Sequence, residues 1–247
     1  MVLADPSRIL ETEAGPVLLP PSDLLSDEPP LESYLHLQQM LLLLNCLDWL
    51  WRERNDYFAA GNLTIYYSAQ QQKSADFRGP DFFVVLDTKK QPRKSWIVWE
   101  EDGKYPNLIV ELLSHSTAKT DRGLKQKIYQ DIFRTPEYFW FSPDTLEFQG
   151  FVLERGTYQP IVDEQGYLWS AQLQLFLGVY ERQLRFFSAE KQLMPSPQEA
   201  AIASNKQAEV ERQQAEVERQ QAKAERRRNE KLVAKLRELG IDPAELD

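Results

Sequence analysis

Cysteine occurs once in the 247 residues, at Cys46, and histidine twice. A single thiol cannot form an intramolecular disulfide, and Cys46 lies in an apolar run where a buried, inert thiol is expected. One cysteine and two histidines are too few for a zinc centre built on those ligands. Glycine is sparse, at ten residues. None forms a phosphate-cradling loop or a Gly-x-Ser-x-Gly elbow, so P-loop and α/β-hydrolase chemistries are excluded. The longest apolar run, Met40 to Leu44, falls far short of the ~20 residues that span a bilayer. No membrane partner is therefore expected. No basic stretch precedes an apolar run at the N-terminus, so no signal peptide is expected and the cytoplasm is the expected location. Positive charge is in deficit, with a formal net charge of −9, which argues against a general polyanion binder.

What is present suits one domain of ordinary to large size with an appendage. Apolar residues make up 42%, and 12 Phe, 10 Tyr and 6 Trp supply a real core. Charge is unevenly spread. From Ser204 to the end there are 10 basic and 10 acidic residues, leaving 19 basic against 28 acidic in the body. If the body handles nucleic acid, it must do so through a local basic patch or bridging divalent cations.

Residues 1–30 carry Pro16, Pro20, Pro21, Pro29 and Pro30 and read as an extended arm. Leu31 to Arg54 follows a helical period, with Ser33 or Asp27 to begin it. Strands are expected at Leu63–Ser68, Asp81–Asp87, Trp96–Glu100 and Asn107–Leu113. The last of these is apolar on both faces and so central in its sheet. A helix is expected over Thr117–Arg134, capped by Thr117 or Thr120 and ended by Pro136, then a strand at Glu137–Ser142. Leu146–Leu153, Thr157–Val162 and Leu184–Ser188 read as an antiparallel extension. The fold class is α/β (α+β), a mixed central sheet flanked by helices over residues 31–193.

Residues 194–247 are a linker and a long charged helix. Gln207–Gln213 repeats unchanged as Gln214–Gln220, and a seven-residue period suggests a coiled coil. The apolar residues Ala208, Val210, Ala215 and Val217 alternate by two and five, which is a poor seam. Glu209, Arg212, Glu216 and Arg219 form a charge ladder instead, each pair contributing roughly 0.2–0.5 kcal/mol. A solvated charged helix is the favoured reading, with pairing to a helical partner as the other. Leu232, Leu236 and Leu239 share a stripe, and Gly240 suits a C-cap.

Two carboxylates fall at or within β-type runs, Asp81 after Pro80 and Glu111 inside Leu108–Leu113. A carboxylate inside an apolar strand is costly to bury without a cation or donors. Two of them on neighbouring strands, with a lysine nearby, are what metal-dependent phosphodiester hydrolysis needs. The structural alternatives are a strand cap for Asp81 and a plain ion pair for Glu111. Asp121 reads as a helix N-terminal charge, Ser114 and Thr117 as turn and cap residues, and Tyr129 as a packing residue. His115 reads as a loop residue, His36 as a satisfied histidine on a helix flank, and Trp96, Trp99, Trp140 and Trp169 as core.

The ordered motifs are Pro80-Asp81, Val110-Glu111-Leu112-Leu113-Ser114, then Asp121, Lys125 and Tyr129 at four-residue steps, then Glu137-Tyr138-Phe139-Trp140 before Pro143-Asp144. Over Leu31 to Ser188 this series resembles the Uma family of restriction endonucleases abundant in cyanobacteria, within the PD-(D/E)XK nuclease-like superfamily. The resemblance implies a restriction-endonuclease-like core, Mg²⁺-dependent cleavage of DNA (Mn²⁺ substituting) and frequently a homodimer. By position, Asp81 and Glu111 match the metal-binding and catalytic acidic residues. The lysine expected two places after Glu111 is replaced by Leu113. Lys125 matches the lysine the family carries on the following helix, and Lys127 is the fallback. Glu32 is the candidate for an additional metal-binding Glu from the first helix, with His36 and Gln39 as alternatives. A reading from another class is a nuclease-like fold with weak or no activity, serving as a protein-interaction module through its C-terminal helix.

Overall fold

The computed structural model describes residues 9–12, 15–18, 33–67, 79–114 and 121–238, with the backbone alone for the first two segments and Asp121. It divides into two compact units, Met1–Ser196 and Pro197–Asp247.

In the expected N-terminal arm, β1 (Ile9–Thr12) and β2 (Gly15–Leu18) pair antiparallel. Helix α1 spans Tyr34–Leu50. Its N-cap is Ser33, whose side chain accepts the His36 N–H at 3.2 Å, satisfying one of the donors a helix start leaves orphaned. Met40, Leu43, Cys46 and Leu47 form its buried face. Gln39 clamps α1 from the same side: its amide donates to the Leu184 carbonyl and accepts the Leu184 N–H, both at 2.9 Å.

Then come β3 (Tyr57–Ala60), β4 (Ile65–Tyr66), β5 (Phe82–Leu86), β6 (Trp96–Ile97) and β7 (Leu108–Leu112). The expected strand Leu63–Ser68 is reduced to β4. The one expected over Trp96–Glu100 becomes β6 followed by a 3₁₀ turn, Val98–Glu100. The helix after β7, α2, runs over 121–133 and is not a plain α-helix. Asp121–Lys125 and Tyr129–Phe133 are wound as wider π turns around a short α segment, Gln126–Ile128. It stops at Arg134, which adopts a left-handed conformation at φ 55°.

After it come β8 (Glu137–Phe141), β9 (Phe148–Glu154), β10 (Thr157–Pro160), β11 (Tyr167–Ser170), β12 (Leu175–Tyr180) and β13 (Gln183–Phe187). The central sheet has the order β10-β9-β8-β7-β5-β3. Only β7 and β8 run parallel, joined through α2; the other pairs are antiparallel. The mixed sheet with flanking helices is thus the observed class. A second antiparallel sheet, β11-β12-β13, and the parallel pair β4-β6 complete the body.

Alternation along each strand divides the apolar residues between two faces. Phe82, Val84, Leu108, Val110, Leu112, Phe139 and Phe141 pack against α1 and the β11-β13 sheet. Phe83, Val85, Ile109, Leu113, Tyr138 and Trp140 pack against Tyr129 and Phe133 of α2, with Ile65 and Trp96. Covering on both sides is why β7 reads as a continuous apolar run. Each fully buried Leu or Phe here contributes roughly 1.5–3 kcal/mol.

The second unit contains helix α3, Pro197–Glu238, with no buried residue. Leu239 and Gly240 lie outside the described residues. No helix among the described residues is long and apolar enough to cross a membrane.

Candidate active site

Asp81 stands one residue before β5. Phe82 pairs with Val110 and Phe83 with Ile109, so the register carried one step further sets Asp81 opposite Glu111. Directly opposed residues of antiparallel strands share a face, with Cβ atoms about 4.5–5.5 Å apart. The two carboxylates lie within hydrogen-bonding reach of one another. Glu111 sits on the α2 side of the sheet, in line with Ile109.

α2 brings two donors to Glu111. Lys125 Nζ lies 2.9 Å from Oε2, and the Tyr129 hydroxyl donates to Oε1 at 2.5 Å. Residues four apart in a helix share a face, so one stripe of α2 grips both oxygens of one carboxylate. Glu111 is fully buried, as is Tyr129, and Lys125 nearly so. The first turn of α2 is pinned where this stripe begins: the Arg122 guanidinium lies 4.3 Å over the Trp140 ring and pairs with Glu147. The other end is held by Gln130, which accepts the Tyr158 N–H at 2.8 Å.

Asp81 is held from α1 and β7. His36 Nε2 stands 2.9 Å from Asp81 Oδ1, and Oδ2 accepts the Leu112 N–H at 2.8 Å. Burial alone would push the Asp81 carboxyl up. The His36 hydrogen bond and the Lys125 and His36 charges outweigh it and hold Asp81 below its ordinary 3.8. Gly61 allows α1 this close. A Cβ there would stand 2.4 Å from Met40 Sδ and 2.9 Å from the Asp81 carbonyl oxygen. The side chain of Asp81 keeps 16% of its surface accessible against 0% for Glu111, so the site opens on the Asp81 side. Residues 68–78 and 115–120 lie outside the described residues.

Asp81, Glu111 and Lys125 therefore converge. Lys127 is exposed and points away from Glu111. Leu113 is buried in the core and supplies no cation, a position that Lys125 fills from the helix. Two residues carry contacts beyond the expected ones. Tyr129, read as packing, also hydrogen-bonds Glu111; the signal was its four-residue step from Lys125. His36, read as a satisfied residue on a helix flank, is the α1 group that reaches Asp81. Gln39, the other alternative there, is spent on Leu184. Glu32, His115, Thr117, Thr120 and the Asp121 side chain lie outside the described residues.

The donors suit a hard cation that takes few protein ligands. Among the described residues no three His, Cys, Asp or Glu groups surround one point; within them, the Asp81 and Glu111 oxygens are the ones that could hold a cation. Mg²⁺ is commonly held in that way, by one or two carboxylates with waters and substrate phosphate. The four oxygens are held by His36, the Leu112 N–H, Lys125 and Tyr129, and a cation would join that set.

The body is thus a mixed-sheet α/β protein with two neighbouring carboxylates and a helix-borne lysine. The Uma2 family model, described as "Putative restriction endonuclease", matches residues 25–185, and the chain belongs to that family. Among solved structures, one similar chain is described as a putative nuclease belonging to DUF820 from Anabaena variabilis ATCC 29413, at 1.96 Å resolution. It shares 10% identity at a TM-score of 0.42, over 66% of this chain and 81% of that one. No curated protein matches the chain.

Proposed function

We propose that this chain is a Mg²⁺-dependent endonuclease, with Mn²⁺ able to substitute, that hydrolyses phosphodiester bonds of DNA. The observation that carries this is Asp81 held on the Leu112 N–H, next in chain to Glu111, with Lys125 on Glu111. Membership of a restriction-endonuclease family supplies the reaction class.

Asp81 and Glu111 would hold the cation. When bound, it supplies positive charge that polarises the phosphoryl group and acidifies the attacking water. Lys125 places an ammonium at the same carboxylate, where it orients the water and stabilises charge gathering on phosphorus. Tyr129 fixes the Glu111 rotamer, and His36 fixes that of Asp81. Both act through the carboxylates and are positioning residues. The buried walls around Glu111 strengthen each of these electrostatic terms.

The second reading is an inactive fold used for interaction. It is favoured by one observation: every oxygen of the two carboxylates already has a protein partner. Plasmid nicking separates the two. Purified protein with Mg²⁺ or Mn²⁺ should nick supercoiled DNA, chelator should stop it, and Glu111→Ala should lower the rate by at least about a hundredfold, the scale of losing a transition-state electrostatic contact. Absence of nicking by wild-type protein with either metal on several DNA forms sinks the endonuclease reading.

A further inference from the structure

Charge along α3 is segregated. Residues 197–222 hold three basic and five acidic side chains, whereas 223–237 hold seven Lys and Arg against two Glu. In the first half three of the five acids have these partners: Arg212 pairs with Glu209 at 3.3 Å, and Gln207, Gln213 and Gln220 donate to Glu211, Glu209 and Glu216. In the second half Lys223, Arg227, Lys231 and Lys235 follow one another at four-residue steps. All four are exposed. Among the described residues none of them pairs with a carboxylate. They line one open surface depression together with Gln220, Ala224, Arg228 and Leu232.

Residues four apart on a helix are neighbours, so this ridge sets three like-charged contacts in a row. Each is unfavourable in the free helix. The segment accepts that repulsion where glutamine or a Glu–Lys pair would have removed it. A ligand of opposite charge that runs along the ridge relieves all three contacts together. The ridge is about 18 Å long at 1.5 Å rise per residue. Double-stranded DNA presents about one negative charge per 1.7 Å of its axis, so a duplex offers about ten phosphate charges over that length. An anionic membrane fits less well. α3 contains no Phe, Tyr or Trp, whereas interfacial helices seat a bulky apolar face beside their basic one.

We infer that Lys223, Arg227, Lys231 and Lys235 form a sequence-independent contact line for the phosphate backbone of duplex DNA. The inference deepens the nuclease reading and rests on it for the choice of DNA. It gives the acidic body a polyanion tether. Side chains at this spacing meet phosphates and not base edges, so the tether raises local concentration without selecting a sequence.

The test is fluorescence anisotropy of full-length protein with a labelled duplex of mixed sequence, in chelator, across a salt series. Wild type is compared with the quadruple variant Lys223→Gln, Arg227→Gln, Lys231→Gln, Lys235→Gln. A control carries Lys206→Gln, Arg212→Gln and Arg219→Gln. Glutamine keeps helix propensity, and circular dichroism verifies the helix in each. The ridge variant should lose at least about tenfold in affinity, and the slope of log K against log salt should flatten by about 3–4, near 0.9 per phosphate contact. The control should stay within about twofold of wild type. Equal affinity and equal slope for wild type and ridge variant overturn the inference. So does a ridge variant that loses binding to phosphatidylserine vesicles while its DNA binding is unchanged. Because no metal is present, binding is read apart from cleavage. Salt-steep binding lost in the ridge variant, in a protein that never nicks DNA, upholds the contact line and sinks the endonuclease instead.

Discussion

Glu111 and Lys125 meet almost out of reach of water. Attraction within such a pair barely repays the desolvation of two charges, but removing one partner strands the other. Lys125→Ala should therefore cost about 3–5 kcal/mol, measured by urea unfolding at neutral pH. The double change Glu111→Leu, Lys125→Met should come within about 1 kcal/mol of wild type or exceed it. It should nick no DNA. A double variant as unstable as Lys125→Ala would show that the pair serves the fold and would weaken the site. Residue-scale legibility follows the same physics. Glu111 stood out because a charge in an apolar run needs a partner. The partner's identity did not, since Lys125 and Lys127 differ only in which side of α2 they occupy. Tyr129 was hidden because a buried tyrosine reads as core until its hydroxyl is located.

Among the elements, the joint between the two sheets depends on another carboxylate. Glu137 opens β8 and accepts from the Ser170 hydroxyl and from the Ala171 and Gln172 N–H groups at 2.7 and 3.1 Å. Burial pushes its carboxyl above the ordinary 4.5, and those three hydrogen bonds pull the other way without cancelling it. An acid with a raised folded-state value binds more protons folded than unfolded between the two values. Stability then falls as pH rises across that window. The favourable contribution is fullest below about 4.5 and is lost as pH climbs through the raised value. Glu137→Gln should remove this slope. Wild type should lose stability relative to the variant as pH rises above about 4.5, as read from urea midpoints. Parallel curves would mean Glu137 titrates normally. The β7, α2 and β8 elements were plain in the sequence from their apolar runs and the Pro136 stop. β3, β11 and β12 were not. Tyr57–Ala60 ends in two alanines, which are poor strand formers. Leu175–Tyr180 is broken by Gly178, where a Cβ would stand 2.9 Å from the Tyr167 ring. The π turns of α2 have no separate sequence signature.

For the whole molecule, the two units draw stability from different sources. The body has two buried layers, one on each face of the central sheet. α3 buries no residue and depends on the propensity of Ala, Gln, Glu, Lys and Arg together with local charge pairs. Helices of that kind melt gradually, since little couples one turn to distant ones. Heating should give two processes: a broad loss of the 222 nm signal from α3, then a sharp transition shared by the near-ultraviolet signal of the aromatic core. A single sharp transition at both wavelengths would show α3 folding as part of the body.

Cys46 lies 3% exposed on the buried face of α1, ten residues from His36, and α3 carries no thiol. The protein thus contains a built-in chemical clock with one hand. A thiol reagent can modify this position only when α1 lifts from the sheet, so the reaction rate counts openings of the body alone, whatever the tail is doing. Because α1 also delivers His36 to Asp81, the same clock times how often one wall of the site is withdrawn. If DNA or a divalent cation seats there, it should run slow without any label having been engineered in.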